Sequence, residues 1–302
     1  MKFKKIILKI LPLCALVSTF SVEAFDLSAL SGGKISQSDN KMANNILTLG
    51  KATYDALDSE VGPADNFFLG REAAARLIGQ YDVFPQTSEI TQYVNHVGRN
   101  LALASNAPYL YSPYTFIVLK TSQINAFAAP GGLIMITTGM LAFVKNEDEL
   151  AAILGHEIGH VELDHGVGAV GQEKVIKLTS LAANITTAGL TGKQSNATKM
   201  LVDKLLEEVM AVMTKSIRNG YSIETEQEAD QRGIFLTHTA GYNASSLVDV
   251  IERFKQIKGT YGGAGYPEQR GKLAKNYLST LGSLSSSNVI ARNTRFEAIT
   301  KK

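Results

Sequence analysis

Two histidines four residues apart, His156 and His160, within a run of helical periodicity constrain this chain more than any other feature. Across Asn146 to Gly166, NEDELAAILGHEIGHVELDHG, the apolar Leu150, Ile153, Leu154, Ile158 and Val161 recur at three-and-four spacing, which predicts an amphipathic helix. Asn146 can cap it, and Glu149 can reach back to the Asn146 amide to complete a capping box. Glu147, Asp148 and Glu149 suit the positive end of the helix dipole, and Gly166 is a natural stop.

On such a helix the two imidazoles emerge from one face, their Cβ atoms roughly 5–6 Å apart. They can therefore converge on one zinc ion at about 2.0–2.1 Å. Glu157 stands beside the water that would complete the coordination and can take its proton. If one position is to stay open, a third protein ligand must come from elsewhere. Ser222 to Asp230, SIETEQEAD, offers a second helix capped by Ser222, with Glu226 and Asp230 on one face. Glu226 is the expected third ligand. Asp230, one turn on, can serve the catalytic site by accepting the second ring N–H of a ligating histidine.

These pieces resemble the gluzincin metallopeptidases of the HtpX, BepA and CAAX prenyl endopeptidase family. The matching motifs are NAFAAPGG over Asn125 to Gly132, HEIGH over His156 to His160, and EQEAD over Glu226 to Asp230, followed by Gly233. The resemblance covers roughly Phe67 to Tyr242. It implies His156, His160 and Glu226 as zinc ligands, Glu157 as catalytic base and Asp230 as a residue behind the ligands, in agreement with the spacing argument. It also implies that the strand near Asn125 and Ala126 binds substrate, and peripheral contact with outer-membrane assembly machinery.

Met1 to Ala24 reads as a cleavable signal peptide: four lysines, an apolar run from Ile10 to Phe20, and Val22-Glu-Ala24 as a small-residue cleavage site. The run is shorter than the roughly 20 residues needed to span a bilayer. A periplasmic location is therefore expected. Of 30 basic and 28 acidic residues the leader holds four and one, so 26 and 27 remain and the net charge is near −1. That balance gives no electrostatic reason to expect nucleic acid as a partner. Cys14 is the only cysteine and lies in the leader, after a bulky Leu13 that disfavours lipidation. Disulfides and thiol catalysis are thereby excluded from the mature chain.

Residues 25–302 are expected to form a single domain. Nothing after Tyr242 repeats at a helical-array period, so the repeat domain of BepA is not expected. Residues 42–57, 69–81, 88–103 and 245–257 carry helical patterning; residues 114–119 and 133–137 read as paired strands joined by a turn over 125–132. If the second strand is the sheet edge, an extended peptide can add to it. Residues 167–221 are an insert read as a helical hairpin flanking the cleft, and the chain from Leu273 on as a flexible polar tail. His165 is expected as a cation at the helix C-terminus, His96 and His238 without a site role, and Arg295 as a candidate site arginine, standing where the family carries one after a His-Pro although no histidine is present here.

The expected fold is a mainly helical α+β zincin-like domain with a short sheet against the HEIGH helix. The expected activity is zinc-dependent hydrolysis of unfolded or misassembled envelope proteins. A non-catalytic chaperone or assembly factor retaining the zinc site is the alternative, and the presence of Glu157 argues against it.

Overall fold

A computed structural model of the chain describes residues 62–171, 207–208, 210–212, 215–216, 220–257, 266–281 and 288–300, all within one compact unit. The leader expected over 1–24, the helix expected over 42–57 and most of the 167–221 insert lie outside these residues. Within the insert, 207–208, 210–212 and 215–216 are helical. No described helix is long and apolar enough to cross a membrane.

The unit opens with α1 (Pro63–Ile78), whose proline occupies the first helical turn, where a missing N–H is harmless. A short strand β1 (Asp82–Val83) leads to α2 (Glu89–Leu103), capped by Ser88 through the Thr91 amide. Of the apolar stripe expected on α2, Tyr93, Val94, Val97 and Leu101 are buried and Ile90 is half-buried. Three strands follow, β2 (Thr115–Lys120), β3 (Ala126–Ala129) and β4 (Leu133–Thr137), in a sheet of order β1-β2-β4-β3.

Residues 115–120 and 133–137 do pair, in parallel, with Thr115 opposite Leu133. The stretch 125–132, expected as a turn, contains β3, which runs antiparallel to β4 with Ala126 opposite Ile136. The sheet edge is therefore β3 and not the strand 133–137. Gly131 and Gly132, with φ of +74° and +88°, make the tight turn between them, a conformation that costs glycine little. On the other side, β1 pairs only with Leu119 and Lys120 of β2. Beyond it, Asn95 of α2 takes the place of a neighbouring strand: its amide donates to the Phe116 carbonyl at 2.8 Å and its oxygen accepts the Phe116 N–H at 3.1 Å.

After the short α3 (Thr138–Phe143) comes α4 (Glu147–Glu162), which packs against α2, the sheet and helices from later in the chain. Asn146 caps α4 through the Glu149 amide at 2.9 Å, as expected. Glu149 reaches one residue further back than predicted, accepting the Lys145 amide at 2.8 Å. The helix is also buried on every face, Glu147 to Val161, rather than along one stripe. Its polar residues are thus inside the protein, where each needs a partner.

Partners come from late in the chain. After α5 (His165–Val170) and α6 (Ile223–Thr239), three further helices are α7 (Ser246–Phe254), α8 (Tyr266–Leu278) and α9 (Val289–Thr300). Within the stretch expected as a flexible tail, residues 273–278 complete α8 and residues 289–300 form α9. Arg295 of α9 donates to Glu147, Arg292 of α9 lies 3.0 Å from Asp148, and Arg253 of α7 donates to Glu149 at 2.7 Å. The acidic first turn of α4 is held by three arginines in addition to its own dipole. That assignment also removes Arg295 from the site, since it is committed to Glu147.

Candidate metal centre

Helices α4 and α6 meet at glycines. A Cβ on Gly155 would come within 3.1 Å of the Gly233 carbonyl oxygen, and one on Gly159 within 3.1 Å of the Ala229 oxygen. Close backbone approach lets short side chains on the facing turns converge. His156 and His160 of α4 and Glu226 of α6 each aim a ligand atom at one point. The Nε2 atoms of the histidines are 3.0 Å apart, with rings nearly perpendicular at 88°. Glu226 Oε2 is 3.3 Å from His156 Nε2, and Oε1 is 3.8 Å from His160 Nε2. Ligand atoms about 2.0–2.1 Å from a tetrahedral ion sit roughly 3.3 Å from one another, so these spacings fit a metal with little movement.

Two further observations bear on the fit. Glu226 Oε2 is buried and accepts no hydrogen bond, although cations flank it; such an oxygen is costly unless a ligand takes it up. The other oxygen, Oε1, is oriented by the Tyr221 amide at 3.0 Å. His156 Nδ1 lies 2.9 Å from Asp230 Oδ1, so the carboxylate can hold the ring with Nε2 directed at the cluster. His156, His160, Glu226 and Asp230 are thus brought together as the spacing predicted.

One residue at the centre was not foreseen. Arg270 of α8 lies 3.1 Å from Glu226, makes two 2.6 Å hydrogen bonds to Asp230, and approaches the His156 ring at 3.2 Å. Its context, Tyr266-Pro267-Glu268-Gln269-Arg270, has a proline where a helix begins and an arginine one turn later. The presence of two buried carboxylates on α6 also called for a cation.

His165 also departs from expectation. The helix stops at Glu162, Asp164 adopts a left-handed conformation with φ of +52°, and the chain folds back into α5, of which Gly166 is part rather than a terminator. His165 Nδ1 is then 2.9 Å from His160 Nδ1 instead of pointing off a helix end. His96 is exposed, and His238 is absent from the cluster, as expected.

Charges in the site follow from burial and pairing. Burial and the Arg270 charge oppose protonation of His156, but the adjoining carboxylates of Asp230 and Glu226 outweigh them and push its pKa up to about 9. Burial, with the neighbouring His156 charge, holds His160 well below the usual histidine range. For Glu226 burial is overcome by Arg270 and the two histidines, which keep it ionised far below the usual carboxylate range. Burial is the main cause that raises Glu157 to about 7, despite a hydrogen bond from the Ala128 amide.

That last bond joins the catalytic candidate to the sheet edge. The cleft is lined by Ala126 and Ala128 of β3, Glu157, Tyr221, Phe254 and Arg270, among others. Ser216 and Gly220 from the end of the insert also line it. Met210 is half-buried and does not line the cleft, whereas Met200 and Met213 lie outside the described residues.

Residues 88–285 match the model of peptidase family M48. A beta-barrel assembly-enhancing protease from Yersinia pestis is 27% identical over 210 residues, which cover 66% of this chain and 38% of that protein. The metalloprotease YcaL of Escherichia coli K12 is 23% identical over 216 residues, 72% of this chain and 78% of its own length. The mitochondrial metalloendopeptidase OMA1 of Arabidopsis thaliana is 25% identical over 143 residues, covering 47% and 26% respectively. The chain thus spans well under half the length of the assembly-enhancing protease.

Proposed function

The chain belongs to peptidase family M48, and on that premise we propose that it is a zinc endopeptidase that cuts unfolded or misassembled proteins of the bacterial envelope. The observation that supports this best is the convergence of His156, His160 and Glu226 beside Glu157 and β3, the edge strand among the described residues, in one cleft. Zinc is the ion favoured by two imidazoles and one carboxylate that leave a position open. When bound, it supplies a Lewis acid that acidifies water and polarises the scissile carbonyl.

The chain's own residues do the rest. Glu157 takes the water proton and returns it to the leaving amine; its elevated pKa suits an acceptor that must become a donor. Asp230 fixes the His156 tautomer, and Arg270 neutralises the excess negative charge of Glu226 and Asp230. An extended peptide lies along β3, adding a strand to the sheet and placing its scissile bond beside Glu157 and the ligand cluster. Unfolded chains satisfy that requirement more readily than folded ones. A periplasmic location and contact with outer-membrane assembly machinery are part of the same proposal, supported by the leader-like start of the sequence and by the name of the Yersinia relative.

The test compares wild type with Glu157→Gln on unfolded and native envelope proteins, with metal content measured on both. Cleavage of unfolded substrates by wild type, its loss in Glu157→Gln and equal zinc in the two would support the reading. Equal cutting by the variant would remove Glu157 as base. Zinc without cutting in either would favour the chaperone alternative.

A further inference from the structure

We propose that His165 and Glu228 form a relay that positions His160 as a metal ligand, a role beyond the ligand set itself. The proposal rests on the zinc reading above. An imidazole that binds a metal through one nitrogen is left with a second nitrogen carrying a proton, and whatever receives that proton fixes the ring. For His156 the receiver is Asp230. For His160, whose Nε2 faces His156 and Glu226, the second nitrogen faces another imidazole: His160 Nδ1 and His165 Nδ1 are 2.9 Å apart.

Such a contact requires one N–H and one lone pair. With Nε2 of His160 committed to the metal, Nδ1 must be the donor and His165 Nδ1 the acceptor. The His165 proton then has to sit on Nε2, and Nε2 lies 3.2 Å from Glu228 Oε2. The carboxylate accepts that proton's hydrogen bond and so fixes the His165 tautomer, which in turn fixes that of His160. Every link has only one consistent arrangement.

The local backbone is shaped for this contact. Asp164 adopts a left-handed conformation, one that aspartate visits more readily than most residues with a Cβ. Its side chain is held by the Asn66 amide at 2.9 Å. Without that reversal His165 would continue along the α4 direction and miss His160. The Tyr221 ring covers the pair, 4.6 Å from His160 and 6.1 Å from His165. Helix α6 thereby supplies Glu226 to the ion, Asp230 behind one imidazole and Glu228 behind the other. Glu228 is 65% exposed while His165 is 8% exposed, so the inner link should matter more than the outer one.

The test uses full-length protein and measures apparent zinc affinity by chelator competition, with thermal unfolding of the metal-free form and the visible spectrum of the cobalt(II) form alongside. Four variants are compared with wild type: His165→Leu, His165→Asn, His165→Gln and Glu228→Gln. Leucine removes the acceptor, whereas the asparagine oxygen can stand near the position of Nδ1. His165→Leu should weaken zinc by about 10–100-fold and alter the cobalt spectrum, and His165→Asn should recover most of both. Glu228→Gln, a surface change, should weaken zinc only a few-fold. The relay is overturned if wild type binds zinc and His165→Leu binds it equally well, or if leucine and asparagine weaken it alike. Should His165→Leu not fold, wild-type affinity in Glu228→Gln together with no difference between His165→Asn and His165→Gln would overturn it. Failure of wild type to bind zinc at all would instead sink the metal reading and the relay with it.

Discussion

Gly233 of α6 lies so close to His156 of α4 that a Cβ on it would fall 2.7 Å from the His156 backbone nitrogen. The ligand helix and the carboxylate helix are in backbone contact at the level of the metal ligands, with no side chain between them. Gly233→Ala must therefore part the helices or bend one of them. The expected loss is about 1–3 kcal/mol of stability, as for other overpacked cores, and zinc affinity should fall because Glu226 moves with α6. Chemical denaturation and chelator competition would check the two effects; an unchanged affinity would show that the cluster adapts.

Removing Arg270 leaves Glu226 and Asp230 buried without the cation that faces both. Arg270→Ala should cost about 3–5 kcal/mol in the metal-free protein. Zinc itself brings positive charge to the same carboxylates, so its stabilising effect should be larger in the variant than in wild type. Melting curves with and without zinc test this, and an equal shift in both proteins would show that Arg270 is not compensating the ligand charge.

Glu147 is completely buried, and Arg295 and the Tyr93 hydroxyl satisfy its oxygens. Arg295→Ala strands part of that carboxylate; because the arginine is half exposed, water can partly replace it, and the expected cost is near the low end of about 1–3 kcal/mol. Zinc affinity should not change, since the site is at the other part of α4. A drop in affinity matching the drop in stability would contradict that separation.

Stripping zinc with a chelator should lower the melting temperature, and adding it back should restore it. A ligand held at a thousand times its dissociation constant stabilises by about 4 kcal/mol. The shift should vanish in His156→Ala and in Glu226→Ala. Persistence of the full shift in either variant would place the ion elsewhere.

Local rules were enough for α4 and α6. Asn146 and Ser222 cap where their side-chain chemistry suggests, and i,i+4 spacing alone puts His156 beside His160 and Glu226 beside Asp230. The approach of those two helices, with 66 positions from His160 to Glu226, was legible only because a catalytic metal needs a third protein ligand. What could not be read depended on the path of the chain. His165 reaches His160 through a non-glycine left-handed turn, which no pattern in ELDHG announces. Arg270 reaches His156 across 114 positions, from a helix with little apolar patterning. The strand β3 is mostly alanine, poor in the residues that favour strands, and exists because the glycine turn folds it back on β4. Arg295 was misplaced for a related reason: an arginine near the chain's end could serve either an acidic helix turn or the site, and only the packing of α9 decides.

The clasp on the first turn of α4 has a bearing on how the protein is made. Until α9 docks, Glu147 has no guanidinium to meet it, and the helix that carries both histidines begins with an unneutralised acid inside the forming core. A partly folded chain can therefore contain every metal ligand and still lack that neutralising contact, so docking of α9 is expected as a late step that completes the core around the ligand helix.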